Sequence, residues 1–201
     1  SVTCDLKSEQ GLALVKQLIT KADVMIENFA PGVIERLGLG YDEVKLLNPG
    51  IIYAQVKGFA EGGPYEKFLS FDMIGQAAGG IMSITGEPDG RPLKPGTTLG
   101  DTGTGMLMAI SILGALYQKR ETGVGQRLTV AMQDAMLQYA RLAFSDTMKT
   151  GKPSARAGEG VVTGGNAPMG LFPCKPGGSN DYVYIYVNRA NNRQWHRLLA
   201  V

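Results

Sequence analysis

Residues 106–117 (MLMAISILGALY) form an apolar run broken in character only by Ser111, and they follow directly on residues 96–105, a stretch of Gly and Thr that holds one carboxylate, Asp101. A helix that is apolar on nearly every face needs other elements packed around it. The run is too short to cross a bilayer alone, so a buried helix inside a layered fold is expected. Asp101 then stands between glycines, where a polar loop becomes that helix. Glycines allow close approach, a helix start carries unpaired N–H groups, and a packed helix behind holds the position still. Two readings stand at this point. Asp is among the preferred helix caps, and Asp101 in that role does no chemistry, with Thr102 and Thr104 as competing caps. Alternatively, Asp101 is a reactive carboxylate.

Composition narrows the classes. A chain of 201 residues with 44% apolar and 19% charged residues buries a real core, as one globular domain or a large piece of one. Its 20 basic and 18 acidic residues are interspersed, leaving net charge +2 and no basic stripe, which argues against nucleic acid as the main partner. Cys4, Cys174 and His196 make neither a disulfide framework nor a zinc site, so metal-free chemistry is expected. No signal peptide opens the chain, and a soluble cytoplasmic protein off the membrane is the default expectation.

Along the chain, residues 1–7 read as a strand, 8–22 as an amphipathic helix capped by Ser8, and 24–26 as a short buried strand. Strand, helix, strand in so short a span is the βαβ pattern of a parallel sheet. Pro31 suits the first position of a helix over 32–37, a second helix covers 41–47, and 51–56 is the next strand. Ligands bind where loops leave the strand ends of such sheets, which draws attention to residues 28–32 and 57–64, although turn chemistry accounts for both. Helices follow over 71–78, with Asp72 at its start, and from the Asp101 loop to Thr122. Then come a strand over 128–130 and a helix over 131–149, whose methionines read as core filler. Residues 150–178 read as a Gly/Pro-rich linker or functional loop, 181–187 as a strand, and 192–199 as a helix carrying Trp195 and His196.

Gly103-x-Gly105-x-x-Met108 falls one glycine short of the dinucleotide fingerprint, and Asp101 before it would repel a pyrophosphate. No nucleophile triad is recognisable, and His196 reads as structural. Carboxylate chemistry remains: an Asp attacking an activated acyl group splits acyl transfer into two steps, with N–H groups of nearby glycines as oxyanion donors.

Residues 22–32 (ADVMIENFAPG), 35–38 (ERLG), 47–49 (LNP), 57–59 (KGF), 100–106 (GDTGTGM), 122–127 (TGVGQR) and 131–135 (AMQDA) together resemble the class III coenzyme A transferases. That family includes formyl-CoA transferase and the carnitine CoA-transferases. The order and spacing of these segments, over nearly the whole chain, carry the likeness. It implies an α/β fold: a Rossmann-like parallel-sheet large domain over 1–149 lacking its N-terminal part, a linker and active-site loop over 150–178, and the start of a smaller α+β domain over 179–201. It also implies that the chain is a fragment of an enzyme forming interlocked homodimers.

Function and site follow from the same resemblance. The chain is expected to move coenzyme A from an acyl-CoA donor to a small carboxylic acid, with Asp101 as nucleophile, forming a mixed anhydride and then an aspartyl-CoA thioester. Asp72 falls where formyl-CoA transferase has a Glu near the reacting centre, and helix capping is its other reading. Asn28, Phe29, Arg36 and Phe71 match positions around the coenzyme A site, where a guanidinium suits phosphate. Gly164 and Gly165 fall in the segment corresponding to the mobile glycine loop. Related 2-methylacyl-CoA racemases need a His where this chain has Phe71, which makes racemase the runner-up beside a non-catalytic CoA-binding protein.

Overall fold

Three short parallel strands organise the first half of the computed structural model, which describes residues 1–188 and 190–201. They are β1 (Val24–Glu27), β2 (Ile52–Lys57) and β3 (Gln126–Ala131), in the order β1-β2-β3. Glu27 pairs with Gln55, and Gln55 with Thr129, so these residues form one row across the sheet. Because side chains alternate along a strand, Tyr53, Gln55 and Lys57 share one face of β2 while Ile52, Ala54 and Val56 share the other.

Each crossover carries helices, as parallel pairing requires. Before β1 comes α1 (Glu9–Ile19); between β1 and β2 lie α2 (Val33–Arg36) and α3 (Tyr41–Leu47); between β2 and β3 lie α4 (Asp72–Ala78) and α5 (Leu99–Thr122); after β3 comes α6 (Met132–Tyr139). Ile19, Ile34, Leu39, Val44, Ile51 and Tyr53 form a buried cluster, with Leu12 and Val15 of α1 packed against it. The Asn48 amide donates to the carbonyls of Ile19 and Ala22, both at 2.9 Å, and so ties the end of α1 to the end of α3.

The expected strand over residues 1–7 is not formed. The Asp5 carboxylate accepts the Lys7 N–H at 2.9 Å and the Asp5 carbonyl accepts the Ser8 hydroxyl at 2.9 Å, making a turn that delivers Ser8 to cap α1 through Gly11 N–H at 3.0 Å. Side-chain bonds of this kind compete with strand pairing. The parallel crossovers therefore begin at β1. Pro31 also stands two places before the first helical residue rather than at it, ahead of the left-handed cap Gly32 at φ 74°.

α5 packs against β2, β3, α4 and α6, and ends at Gly123, whose left-handed conformation brings its N–H to the Lys119 carbonyl at 2.7 Å. It starts before the apolar run, so among the described residues it is long and apolar enough to cross a membrane by length and composition, contrary to the reading of the run alone. Burial on all sides is not what this chain provides: Met108 and Ala115 are buried, whereas Met106, Ile110, Leu113 and Tyr117 line up along an exposed stripe.

The chain divides into two compact units, Ser1–Gly80 with Pro95–Tyr139, and Ile81–Lys94 with Ala140–Val201. The helix expected over 131–149 is two helices, α6 and α7 (Arg141–Thr150). Ala140, at φ −83° and ψ 7°, interrupts the helix and then accepts the Phe144 N–H to start α7. In the second unit Arg156 donates to the carbonyls of Ser83, Glu87 and Gly90, binding the 81–94 excursion to the later segment. Within the expected linker a strand is present, β4 (Met169–Pro173), antiparallel to β5 (Tyr182–Tyr186); α8 (Arg193–Leu199) follows. β4 shows no alternation because Gly170 and Pro173 lie within it, and its strand character comes from pairing with β5.

Candidate active site

The strands β1 and β2 end beside a cavity of about 790 Å³ within the first unit. Asn28, Phe29, Ala30 and Pro31 line it from the loop after β1, Lys57 and Gly58 from the end of β2, residues 68–71 from the approach to α4, and Asp101, Thr104 and Gly105 from α5. Its position outside the carboxyl ends of parallel strands is where α/β sheets collect ligands, and its volume suits a small-molecule site. Much of the wall is apolar and open to solvent, with Phe71 71% exposed.

Asp101 is the third residue of α5, so it does not cap the helix. The cap position is Thr98, whose side chain makes no capping bond. Capping comes from outside the helix. The buried Asp72 carboxylate accepts the Gly100 N–H at 2.8 Å and approaches the Asp101 N–H at 3.4 Å, and its other oxygen accepts the Gln76 amide at 2.8 Å. A carboxylate there satisfies orphan donors and meets the positive end of the helix dipole. Asp101 itself is left exposed on the cavity wall.

This arrangement corrects the expectation that glycine N–H groups beside Asp101 serve as oxyanion donors. Gly100 N–H is taken by Asp72, and from Thr102, which bonds to the Thr98 carbonyl at 2.9 Å, the N–H groups belong to the helical ladder. The glycines do other work. A Cβ on Gly100 would stand 2.5 Å from the Asp72 carbonyl, and one on Gly103 would stand 2.6 Å from the Tyr139 ring, so both permit close packing. A Cβ on Gly105 would meet nothing within 4 Å, and this glycine leaves the cavity open. The buried Thr104 hydroxyl bonds to the Gly100 carbonyl one turn back.

Of the residues singled out in the sequence, Asp101, Asn28, Phe29 and Phe71 thus meet in one cavity, and Asp72 lies under the helix start that carries Asp101. Arg36 does not line the cavity. It is exposed on α2, with a guanidinium nitrogen 2.8 Å from where a Cβ on Gly32 would sit. Gly164 and Gly165 belong to the second unit, in an exposed turn where Gly164 N–H bonds to the Val161 carbonyl.

Reasoning from sequence missed the polar row beside the cavity. The Glu27 carboxylate, 5% exposed, accepts from Lys57 Nζ at 2.7 Å, from the Gln55 amide at 2.7 Å and from the Phe29 N–H at 2.8 Å. Arg127 Nε donates to Gln55 at 2.6 Å and its NH2 group to Glu61 at 2.8 Å. A Glu closing a buried strand was the available signal, since a buried carboxylate requires partners. On the same face the Tyr53 phenol donates to the Leu39 carbonyl at 2.8 Å, and burial, with Glu27 as second cause, holds its pKa above the ordinary value.

The sequence profile of CoA-transferase family III matches residues 1–201. A formyl-CoA:oxalate CoA-transferase of Streptomyces coelicolor is 45% identical over 198 residues, 93% of this chain and 48% of that protein. One from a Bradyrhizobium species is 38% identical over 201 residues, covering 92% and 47%. The crystal structure of a CaiB/BaiF family protein from Brucella suis superposes with a TM-score of 0.86 at 34% identity, covering all of this chain and 51% of that one. The chain spans about half the length of the curated relatives it matches.

Proposed function

The chain belongs to CoA-transferase family III, and from that premise we propose that the whole protein moves coenzyme A from an acyl-CoA to a carboxylate with Asp101 as the covalent nucleophile. The observation that carries this reading is the position of Asp101: an exposed carboxylate on the first turn of α5, on the wall of the cavity that Asn28, Phe29 and Phe71 also line. The Asp101 carboxylate attacks the donor thioester carbonyl, the C–S bond breaks, and a mixed anhydride and CoA thiolate result. The thiolate attacks the aspartyl carbonyl, releasing the donor acid and leaving an aspartyl-CoA thioester. The acceptor carboxylate repeats the sequence in reverse, taking the CoA and freeing Asp101. Formyl-CoA and oxalate are the first pair to test, because the most similar relatives described above carry those substrates in their names.

Asp72 supports the reaction through α5 rather than by touching substrate. Racemisation is disfavoured because Phe71 has no acid or base function where such an enzyme would need one. We further propose a homodimer as the working state, in keeping with the resemblance; the exposed stripe along α5 supports a covering surface. The test is mass spectrometry of the whole protein after exposure to formyl-CoA, with an adduct expected on Asp101. Asp101→Ala is expected to abolish transfer while leaving CoA binding largely intact, and near-normal transfer by that variant would sink the proposal.

A further inference from the structure

Phe29 is held by both of its backbone groups. Its N–H donates to Glu27 Oε2 at 2.8 Å, and its carbonyl accepts from Lys57 Nζ at 3.0 Å. The two side chains that hold it are themselves paired, Lys57 Nζ to Glu27 Oε1 at 2.7 Å, with side-chain exposures of 14% and 2%. The Glu27 oxygen that pairs with Lys57 also accepts from Gln55, which Arg127 holds in turn, so the clamp is braced across all three strands. Nothing in ordinary turn chemistry requires a largely buried ion pair to grip the two peptides that flank one loop residue. Phe29 stands in the middle of the 28–31 segment, which forms one side of the cavity.

We infer that Glu27 and Lys57 are positioning residues that fix the 28–31 loop for coenzyme A binding, an inference that rests on reading this cavity as the coenzyme A site. Their effect falls on binding and not on the chemical step, because Asp101 is held separately, through α5 and Asp72. Lys57 also lines the cavity, so the alternative is that it meets the ligand directly as a cation; the two roles make opposite forecasts for Glu27. As a free cation, Lys57 would bind an anionic ligand better once its carboxylate partner lost its charge. As half of a clamp, it fails when that partner is weakened.

The experiment measures coenzyme A binding to the whole protein by calorimetry, kcat with formyl-CoA and oxalate, and hydrogen exchange over residues 28–32. Lys57→Met removes the donor to Phe29 and leaves Glu27 without its cation. It is expected to weaken CoA binding about 10- to 100-fold, to keep kcat within about threefold, and to speed exchange in the loop about tenfold. Glu27→Gln is expected to act in the same direction, and Lys57→Arg to restore binding to within about threefold. Tighter or unchanged CoA binding in Glu27→Gln overturns the clamp, as does a loss in Lys57→Met that falls on kcat alone. Failure of the unmodified protein to bind CoA overturns the functional reading instead. The clamp is then judged by exchange alone, where unchanged protection over residues 28–32 in Lys57→Met overturns it.

Discussion

Replacing Asp72 tests how the end of α5 that carries Asp101 is held. The carboxylate caps a helix from another element, through Gly100 N–H at 2.8 Å, and accepts from the NH2 group of the fully buried Gln76 at 2.8 Å, which also reaches the Thr97 carbonyl at 3.4 Å. Loss of a cap costs about 1 kcal/mol. The Gln76 NH2 group would keep only its long bond to the Thr97 carbonyl at 3.4 Å, which costs about 0.5–1.5 kcal/mol more. Asp72→Ala should therefore destabilise the first unit by about 1.5–2.5 kcal/mol. Asp72→Asn keeps an acceptor for Gly100. Its new NH2 group faces Gln76 Nε2, but a flip of the Gln76 amide presents Oε1, an atom with no hydrogen-bond partner among the described residues, at the expense of the long bond to the Thr97 carbonyl. That rearrangement limits the loss to about 0.5–1.5 kcal/mol. Native-state hydrogen exchange at Gly100, Asp101 and Thr102 reads these values locally. Adding Gln76→Met to Asp72→Ala should recover about 0.5–1 kcal/mol, because the poorly satisfied amide is gone. Transfer rates separate positioning from acid–base work. Asp72→Asn should keep kcat within about tenfold, while the frayed helix start in Asp72→Ala should cost about 100-fold. Equal loss of activity in Asn and Ala variants, or a penalty under about 0.5 kcal/mol for Ala, would refute the reasoning.

Two glycines of α5 separate stability from site geometry. A Cβ at Gly114 or Gly105 meets nothing within 4 Å, so Gly→Ala at either should stabilise the helix by about 0.5–1 kcal/mol in thermal or urea unfolding. Only at Gly105, on the cavity wall, should a larger residue matter: Gly105→Leu is expected to weaken CoA binding about tenfold in calorimetry without loss of stability. Tyr53 sets an alkaline limit. Its pKa lies above the ordinary 10.0 in the folded state because of burial and the Glu27 charge, so above pH 10 the unfolded chain loses this proton first. Stability then falls by up to about 1.4 kcal/mol per pH unit. Tyr53→Phe should cost about 1 kcal/mol at pH 7 through the Leu39 carbonyl, yet flatten the decline above pH 10 in pH-dependent unfolding.

Local signals were strong enough to define most elements from residues alone. Ser8 capping α1, Asn48-Pro49 ending α3 and Gly123 ending α5 act within a few residues of themselves, and the helices they bound are those expected. Where the reading failed, a distant partner decided the outcome. β4 is a strand because β5 pairs with it, and the turn at Asp5 replaced the first strand. The break at Ala140 carries no Gly or Pro to announce it.

The sequence by itself determined that Asp101 stands in a glycine-rich segment entering an apolar helix, and that segment, with its companions along the chain, carries the family likeness. Only the tertiary structure decided what Asp101 is: not a cap, because a carboxylate twenty-nine positions earlier holds that place, but an exposed group on a cavity wall. The same holds for the Glu27–Lys57 clamp, whose members belong to neighbouring strands. The physical reason is common to both. Cap and turn bonds are local and are written in adjacent residues, whereas buried charges find their partners across strands and crossovers, at distances in sequence that no local pattern encodes.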